Sequence, residues 1–231
     1  MTPINILPFF IYLLISCSSS KTSTIDTKYN SSQSQTNEVK ICNQTWTRTN
    51  LDVAYFKNGD PIPEAKTAEE WNKAGIEKKP AWCYYKNDPE MGKKYGKFYN
   101  WYAVNDQRGL APKGWHIPTE EEWWTLRECI KEPYNEHSEK LKSNTDDWYV
   151  DNGKSGKGND STGFRALPVG TRLAGVEGIF SEFSFASNFW TATSKGKGNL
   201  PYAVRLISTG NNIYGSPTSP EFGMSVRCVK D

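Results

Sequence analysis

The chain has 231 residues, with Lys+Arg 28 against Asp+Glu 26. A formal charge of +2 is too balanced for a surface built to hold nucleic acid or an anionic membrane. Nine Trp, twelve Tyr and ten Phe give the chain too much apolar area to stay unfolded over most of its length. There is neither a glycine period nor a sustained heptad, which excludes a collagen-like or coiled-coil rod.

The first element is an address. Ile6 to Ile15 reads ILPFFIYLLI, a length that suits the hydrophobic region of a signal peptide and is too short to span a bilayer. It runs into Leu14-Ile15-Ser16-Cys17, which resembles the lipobox of bacterial lipoproteins: residues 1–16 form the leader, and Cys17 supplies the sulfur that carries the lipid. Several acyl chains on one residue hold far better than a single chain. Residues 17–38 form the tether, since 15 of the 21 residues from Ser18 to Glu38 are Ser, Thr, Asn or Gln. Such a segment cannot offset its ordering entropy. As a random coil it would hold the domain about 25 Å from its anchor.

From residue 39 to 231 aromatic residues recur steadily and no second linker interrupts, so this stretch reads as one domain. Thr67-Ala-Glu-Glu70 is a capping box, and Gly75 sits where its helix would end. Thr119 and Glu122 repeat the device, and Trp123, Leu126 and Ile130 follow at i, i+3 and i+7, one apolar stripe. A weaker helical pattern covers Asn135 to Lys142, and Ser143 to Asp160 reads as a long irregular stretch. The C-terminal third changes period: Phe189 to Thr193, Tyr202 to Ile207 and Met224 to Val229 are short strand-like runs. Helices early and antiparallel strands late indicate an α+β, loop-rich fold.

Little of the composition points to chemistry. Only His116 and His137 could serve as a base or a nitrogen ligand, and the cysteines are dispersed with no CxxC pair, so no metal, cofactor or catalytic residue is expected. Gly153-Lys-Ser-Gly-Lys-Gly158 lacks the phosphate-loop spacing and reads as a flexible loop.

Several longer motifs carry a resemblance. Phe56-Lys-Asn-Gly-Asp-Pro-Ile-Pro63, Trp82-Cys-Tyr-Tyr-Lys-Asn-Asp88, Tyr99-Asn-Trp-Tyr-Ala-Val-Asn-Asp106, Gly109-Leu-Ala-Pro-Lys-Gly-Trp-His-Ile-Pro-Thr119 and Ser225-Val-Arg-Cys-Val229 occur in this order. Together they resemble the Fibrobacter succinogenes major paralogous domain. The resemblance implies a fold related to C-type lectins and to the formylglycine-generating enzyme group. It also implies a home in secreted proteins and envelope lipoproteins, which agrees with Cys17.

The remaining thiols are Cys42, Cys83, Cys129 and Cys228, an even number that suits an oxidising compartment. Cys83 and Cys228 fall within family motifs, whereas Cys42, where the family typically has Gly, and Cys129 depart from them. This implies the pairs Cys83–Cys228 and Cys42–Cys129. Borrowing from C-type lectins gives the alternative Cys129–Cys228.

Formylglycine-type oxidases need two close thiols near the C-terminus, and Cys228 is the only one after Cys129. The acidic and Trp-Asn-Asp triplets of calcium-dependent lectins are absent as well, so neither oxidation nor calcium is expected. The expectation is a lipid-anchored protein of the outer membrane that binds a glycan or an envelope protein without catalysis. A structural role in an outer-membrane complex, or less favoured a hydrolase, is the alternative. The residues expected to face the ligand are Arg172, Asn188, Trp190, Tyr202 and Tyr214, from the long loops and late strands.

Overall fold

A computed structural model describes residues 38–131, 137–175 and 177–231. The leader, Cys17 and all of the tether but Glu38 lie outside the described residues. The described part is an α+β fold of short helices and several small antiparallel sheets.

The chain enters through the hairpin β1 (Glu38–Ile41) and β2 (Gln44–Thr47). Its turn places Cys42 at φ +53, a left-handed conformation that glycine adopts without cost. Helix α1 (Ala68–Ile76) starts where its capping box predicts: Thr67 accepts from the Glu70 N–H, and the Glu70 carboxylate accepts from the Thr67 N–H. Strand β3 (Trp82–Cys83) pairs with β4 (Phe98–Tyr99) across helix α2 (Pro89–Tyr95), and the one-turn helix α3 (Trp101–Val104) follows.

After β5 (Trp115–His116), helix α4 (Glu120–Ile130) has the second capping box, and Trp123, Leu126 and Ile130 are all buried. The weaker helix shrinks to α5 (Ser138–Leu141). The stretch expected to be irregular holds a small hairpin, β6 (Val150–Asp151) and β7 (Lys154–Ser155). Asn152 and Gly153 both have positive φ (46° and 78°), as the tightest hairpin turns require. Strands β8 (Thr171–Arg172) and β9 (Phe180–Ser181) form another short pair.

The largest sheet element is the ladder β10 (Ala186–Lys195), β11 (Leu200–Ile207) and β12 (Tyr214–Pro217). Residues 186–191 of β10 are buried on both faces. Phe189 packs with Trp46, Trp123 and Phe164 on one side, while Trp190 packs with Trp82, Tyr99 and Trp101 on the other. This strand therefore divides two halves of the core.

The chain closes by threading through that core. The run Met224 to Val229, expected as one strand, instead makes single bridges, Met224 to Tyr99 and Ser225 to Phe189, just after Gly223 bridges Arg172 and before β13 (Val229–Lys230). Met224, Val226 and Cys228 share the predicted apolar face. Strand β13 completes the sheet β1-β2-β13-β5, so both ends of the domain lie in one sheet, where Lys230 Nζ meets Glu38 Oε2 at 2.8 Å.

Of the two inferred cross-links, Cys42–Cys129 is present and ties the first turn to the end of α4. Cys83–Cys228 is not formed, and with Cys129 committed to Cys42 the alternative Cys129–Cys228 is also ruled out. Cys83 belongs to the cluster of Trp71, Tyr85 and Phe98, Cys228 to that of Leu51, Val53 and Trp82. Both are buried thiols. Burial pushes Cys83 up to about 11 and Cys228 up to about 12, which leaves each protonated and inert.

Candidate functional site

Most of the residues expected to face a ligand are structural. Trp190 is fully buried, donates its indole N–H to the Tyr99 carbonyl at 2.7 Å, and lies 5.5 Å from the Trp101 ring. Asn188 is buried and donates to Glu182 at 3.0 Å. Arg172 is also buried: it donates to the carbonyls of Ala65 (3.3 Å) and Thr67 (2.8 Å) and to Asn87 Oδ1 (3.2 Å), between the rings of Trp71 and Phe180. Because β10 is covered on both faces, no residue at its centre can reach solvent. Tyr202 is half-buried and only Tyr214 is exposed. Their positions on the ladder, opposite Pro217 and Arg205, put them on opposite faces of the sheet. The five do not form one site.

A groove of about 460 Å³ lies elsewhere, beside α3. Pro80, Trp101 and Tyr102 form its apolar wall, and Asn105, Asp106 and Arg108 its polar one. The local chain is held from below. Asn100 caps α3 by accepting from the Ala103 N–H at 3.1 Å, and the same oxygen accepts from the Ala81 N–H at 3.0 Å. Its amide donates to the Lys79 carbonyl at 2.8 Å, so one buried side chain holds residues 79–81 against the start of α3. The Trp101 ring is almost wholly in the core, while that of Tyr102 is half-exposed.

Asp106 and Arg108 form a fork, with Nε to Oδ1 at 2.9 Å and Nη2 to Oδ2 at 2.8 Å. Arg108 also reaches Asp60 at 3.2 Å and lies 4.1 Å from the Phe56 ring centre. The guanidinium holds the Asp106 carboxyl below its usual value, and Asp106 with Asp60 raises Arg108, so both stay charged through the physiological range. Asn105 and Gln107 project their amides into solvent at the rim.

An aromatic face beside amides and a fixed carboxylate–guanidinium pair can stack on a sugar ring and exchange hydrogen bonds with its hydroxyls. None of the five residues expected from the sequence lines this groove. The signal was present in Tyr99-Asn-Trp-Tyr-Ala-Val-Asn-Asp106, four residues of which line the groove.

No group of three or more His, Cys, Asp or Glu fit to hold a metal occurs among the described residues. His116 sits between two carboxylates, Nε2 at 2.7 Å from Glu122 and Nδ1 at 2.8 Å from Asp231. Burial alone would lower its pKa; the two acidic partners outweigh burial and raise it. With both nitrogens committed, His116 joins α4 to the chain terminus.

The family model described as the Fibrobacter succinogenes major domain matches residues 39–230. The chain belongs to this family. No curated protein and no solved structure gives a match. The groove and the buried closing segment Ser225 to Val229 are thus parts of a Fibrobacter succinogenes major domain, and the matched span begins one residue after the start of β1.

Proposed function

We propose that this protein is a lipid-anchored protein of the bacterial outer membrane whose domain binds a glycan without catalysis. The observation that carries the reading is the groove beside α3, whose lining brings together the half-exposed Tyr102, Asn105 and the Asp106–Arg108 fork. These groups need no metal to engage hydroxyls. Anchoring rests on the run Ile6 to Ile15 and its lipobox-like end at Cys17.

Retention on insoluble polysaccharides and on glycan arrays tests the binding half. Retention that is lost in Tyr102→Ala supports it; no retention on any glycan overturns it. Labelling cells with a fatty acid tests the anchor: label in the wild type and none in Cys17→Ser is expected.

A second reading, a structural part of an outer-membrane complex, is favoured by one surface. Tyr149, Val150 and Phe183 are exposed, and Tyr149 is tied to the loop that carries Phe183 through its N–H to the Ser184 carbonyl at 2.7 Å. Co-purification after gentle crosslinking, lost when these three are changed to Ser, would establish it.

A further inference from the structure

A second cleft, of about 390 Å³, is lined by Arg48, Asn50, Lys93, Lys94, Arg165 and Arg227, with no carboxylate in its lining. Its floor is the buried Arg227. That guanidinium donates Nε to Asn50 Oδ1 (2.7 Å), Nη1 to the carbonyls of Thr47 (2.7 Å) and Phe164 (2.9 Å), and Nη2 to the carbonyl of Arg165 (3.0 Å). Four of its five N–H groups are thereby used, all on neutral oxygens, and the remaining Nη2–H has no partner among the described residues. A buried cation normally has an ionic partner, because hydrogen bonds alone leave its charge poorly compensated; the acid that acts on this one, Asp160, makes no direct contact with it and is shared with Arg48 and Arg165.

The rim supplies two more guanidinium groups. Arg165 is exposed, stands at φ +57, and its side chain has no hydrogen bond or ion pair among the described residues. Arg48 donates Nε to the Gly163 carbonyl at 2.9 Å, which leaves its two terminal nitrogens open. The turn 163–165 thus gathers all three arginines around one point.

The neighbouring acids do not cancel this field. Glu90 is engaged by Lys93 at 2.6 Å and Asp147 by Lys94, while Asp160, which accepts from the Arg165 backbone N–H at 2.8 Å, is one carboxylate within electrostatic reach of three guanidinium groups, those of Arg48, Arg165 and Arg227. Five cations stand against three carboxylates. A strained, solvent-facing residue at the mouth of a charged cleft is a recurrent mark of ligand contact.

We propose that this cleft binds the phosphate or sulfate group of an anionic monoester. A monoester presents three terminal oxygens, which match two open guanidinium forks and the spare N–H of Arg227, whereas a carboxylate presents two. The cleft volume falls in the range that accepts a small organic molecule, so it has room for the part of the ligand that bears the anion. This site is separate from the groove beside α3 and does not depend on glycan binding there.

Calorimetric titration of the full chain in detergent, at low ionic strength where screening is weak, tests it. The probes are inorganic phosphate, inorganic sulfate, glucose 6-phosphate, glucuronate and glucose. Saturable binding of the phosphate and sulfate probes is expected, weakened about tenfold or more in Arg165→Ala and again in Arg48→Ala. The ester binding more tightly than the free ions marks a group carried on a larger molecule; equal binding marks a free oxyanion. The proposal fails if no phosphate or sulfate probe binds, if glucuronate or glucose binds as well as the ester, or if Arg165→Ala, melting as the wild type does, binds unchanged. Loss of polysaccharide retention in Tyr102→Ala with ester binding intact would separate the two sites.

Discussion

Arg227 Nε lies 2.7 Å from Asn50 Oδ1, and the amide nitrogen of Asn50 in turn donates to the Tyr95 carbonyl and the Ser225 hydroxyl. Two residues 177 apart in sequence thereby fasten the closing segment to the chain that follows β2. Burial pushes the guanidinium down to about 9, and its N–H groups are met by neutral oxygens of Thr47, Phe164, Arg165 and Asn50. Arg227→Met strands three carbonyls and one amide oxygen in the core. The expected loss is about 3–5 kcal/mol. Asn50→Leu, which leaves the buried charge less satisfied, is expected to cost about 2–3 kcal/mol. Urea denaturation of the two variants checks both values.

Cys42 combines a stabilising link with an unfavourable backbone conformation. The disulfide to Cys129 spans 87 residues and contributes roughly 4–5 kcal/mol through the unfolded chain. The turn at φ +53 offsets about 1 kcal/mol of that. In a Cys129→Ser background, Cys42→Gly should therefore be about 1 kcal/mol more stable than Cys42→Ser, and both less stable than the oxidised wild type. Equal melting of the two double variants would show that the turn carries no such cost.

His116 makes stability depend on pH. Its folded pKa is raised, so the ion pairs with Glu122 and Asp231 contribute fully below the unfolded value of about 6.5 and are lost as pH rises through the folded value. The melting temperature of the wild type should exceed that of His116→Gln most at about pH 5.5–6, with the gap narrowing by about pH 8–9. A gap that widens toward alkaline pH contradicts this assignment. With the side chain 39% exposed, solvent screening keeps the effect small.

The groove can be separated from the late strands by two single changes. Tyr102→Ala is expected to weaken polysaccharide retention about tenfold. Tyr214→Ala, on the sheet β10-β11-β12, is expected to leave it unchanged. The reverse outcome would return the ligand to the face first expected from sequence.

Local signals in the sequence were legible where they acted alone. The boxes Thr67-Glu70 and Thr119-Glu122 start helices because four backbone N–H groups need partners whatever the rest of the chain does. The pairing of β10 and β11 follows from β-favouring residues near their centres. Burial was harder to read. Trp190 and Asn188 sit in a strand with core on both sides, a property set by distant elements such as Trp101 and Trp123. Cysteine parity was misleading, because Cys83 and Cys228 are hydrophobic fillers in separate clusters. Asn152-Gly153, a strong hairpin signal, stands between strands of only two residues each, too short to show a period of their own. The groove beside α3 depends on Asn100 bringing residues 79–81 to the helix start, and no sequence period encodes that contact.

The first hairpin also determines how the domain would respond to tension. Glu38 lies at an outer strand held by four residue pairs, from Glu38↔Thr47 to Ile41↔Gln44. A pull from the chain ahead of it would break the contact with Lys230 and unzip those pairs one at a time. Peeling would then stop at Cys42, where the covalent link passes the force to the far end of α4. The head could thus give a few residues of slack under drag while the rest of its interior stays closed.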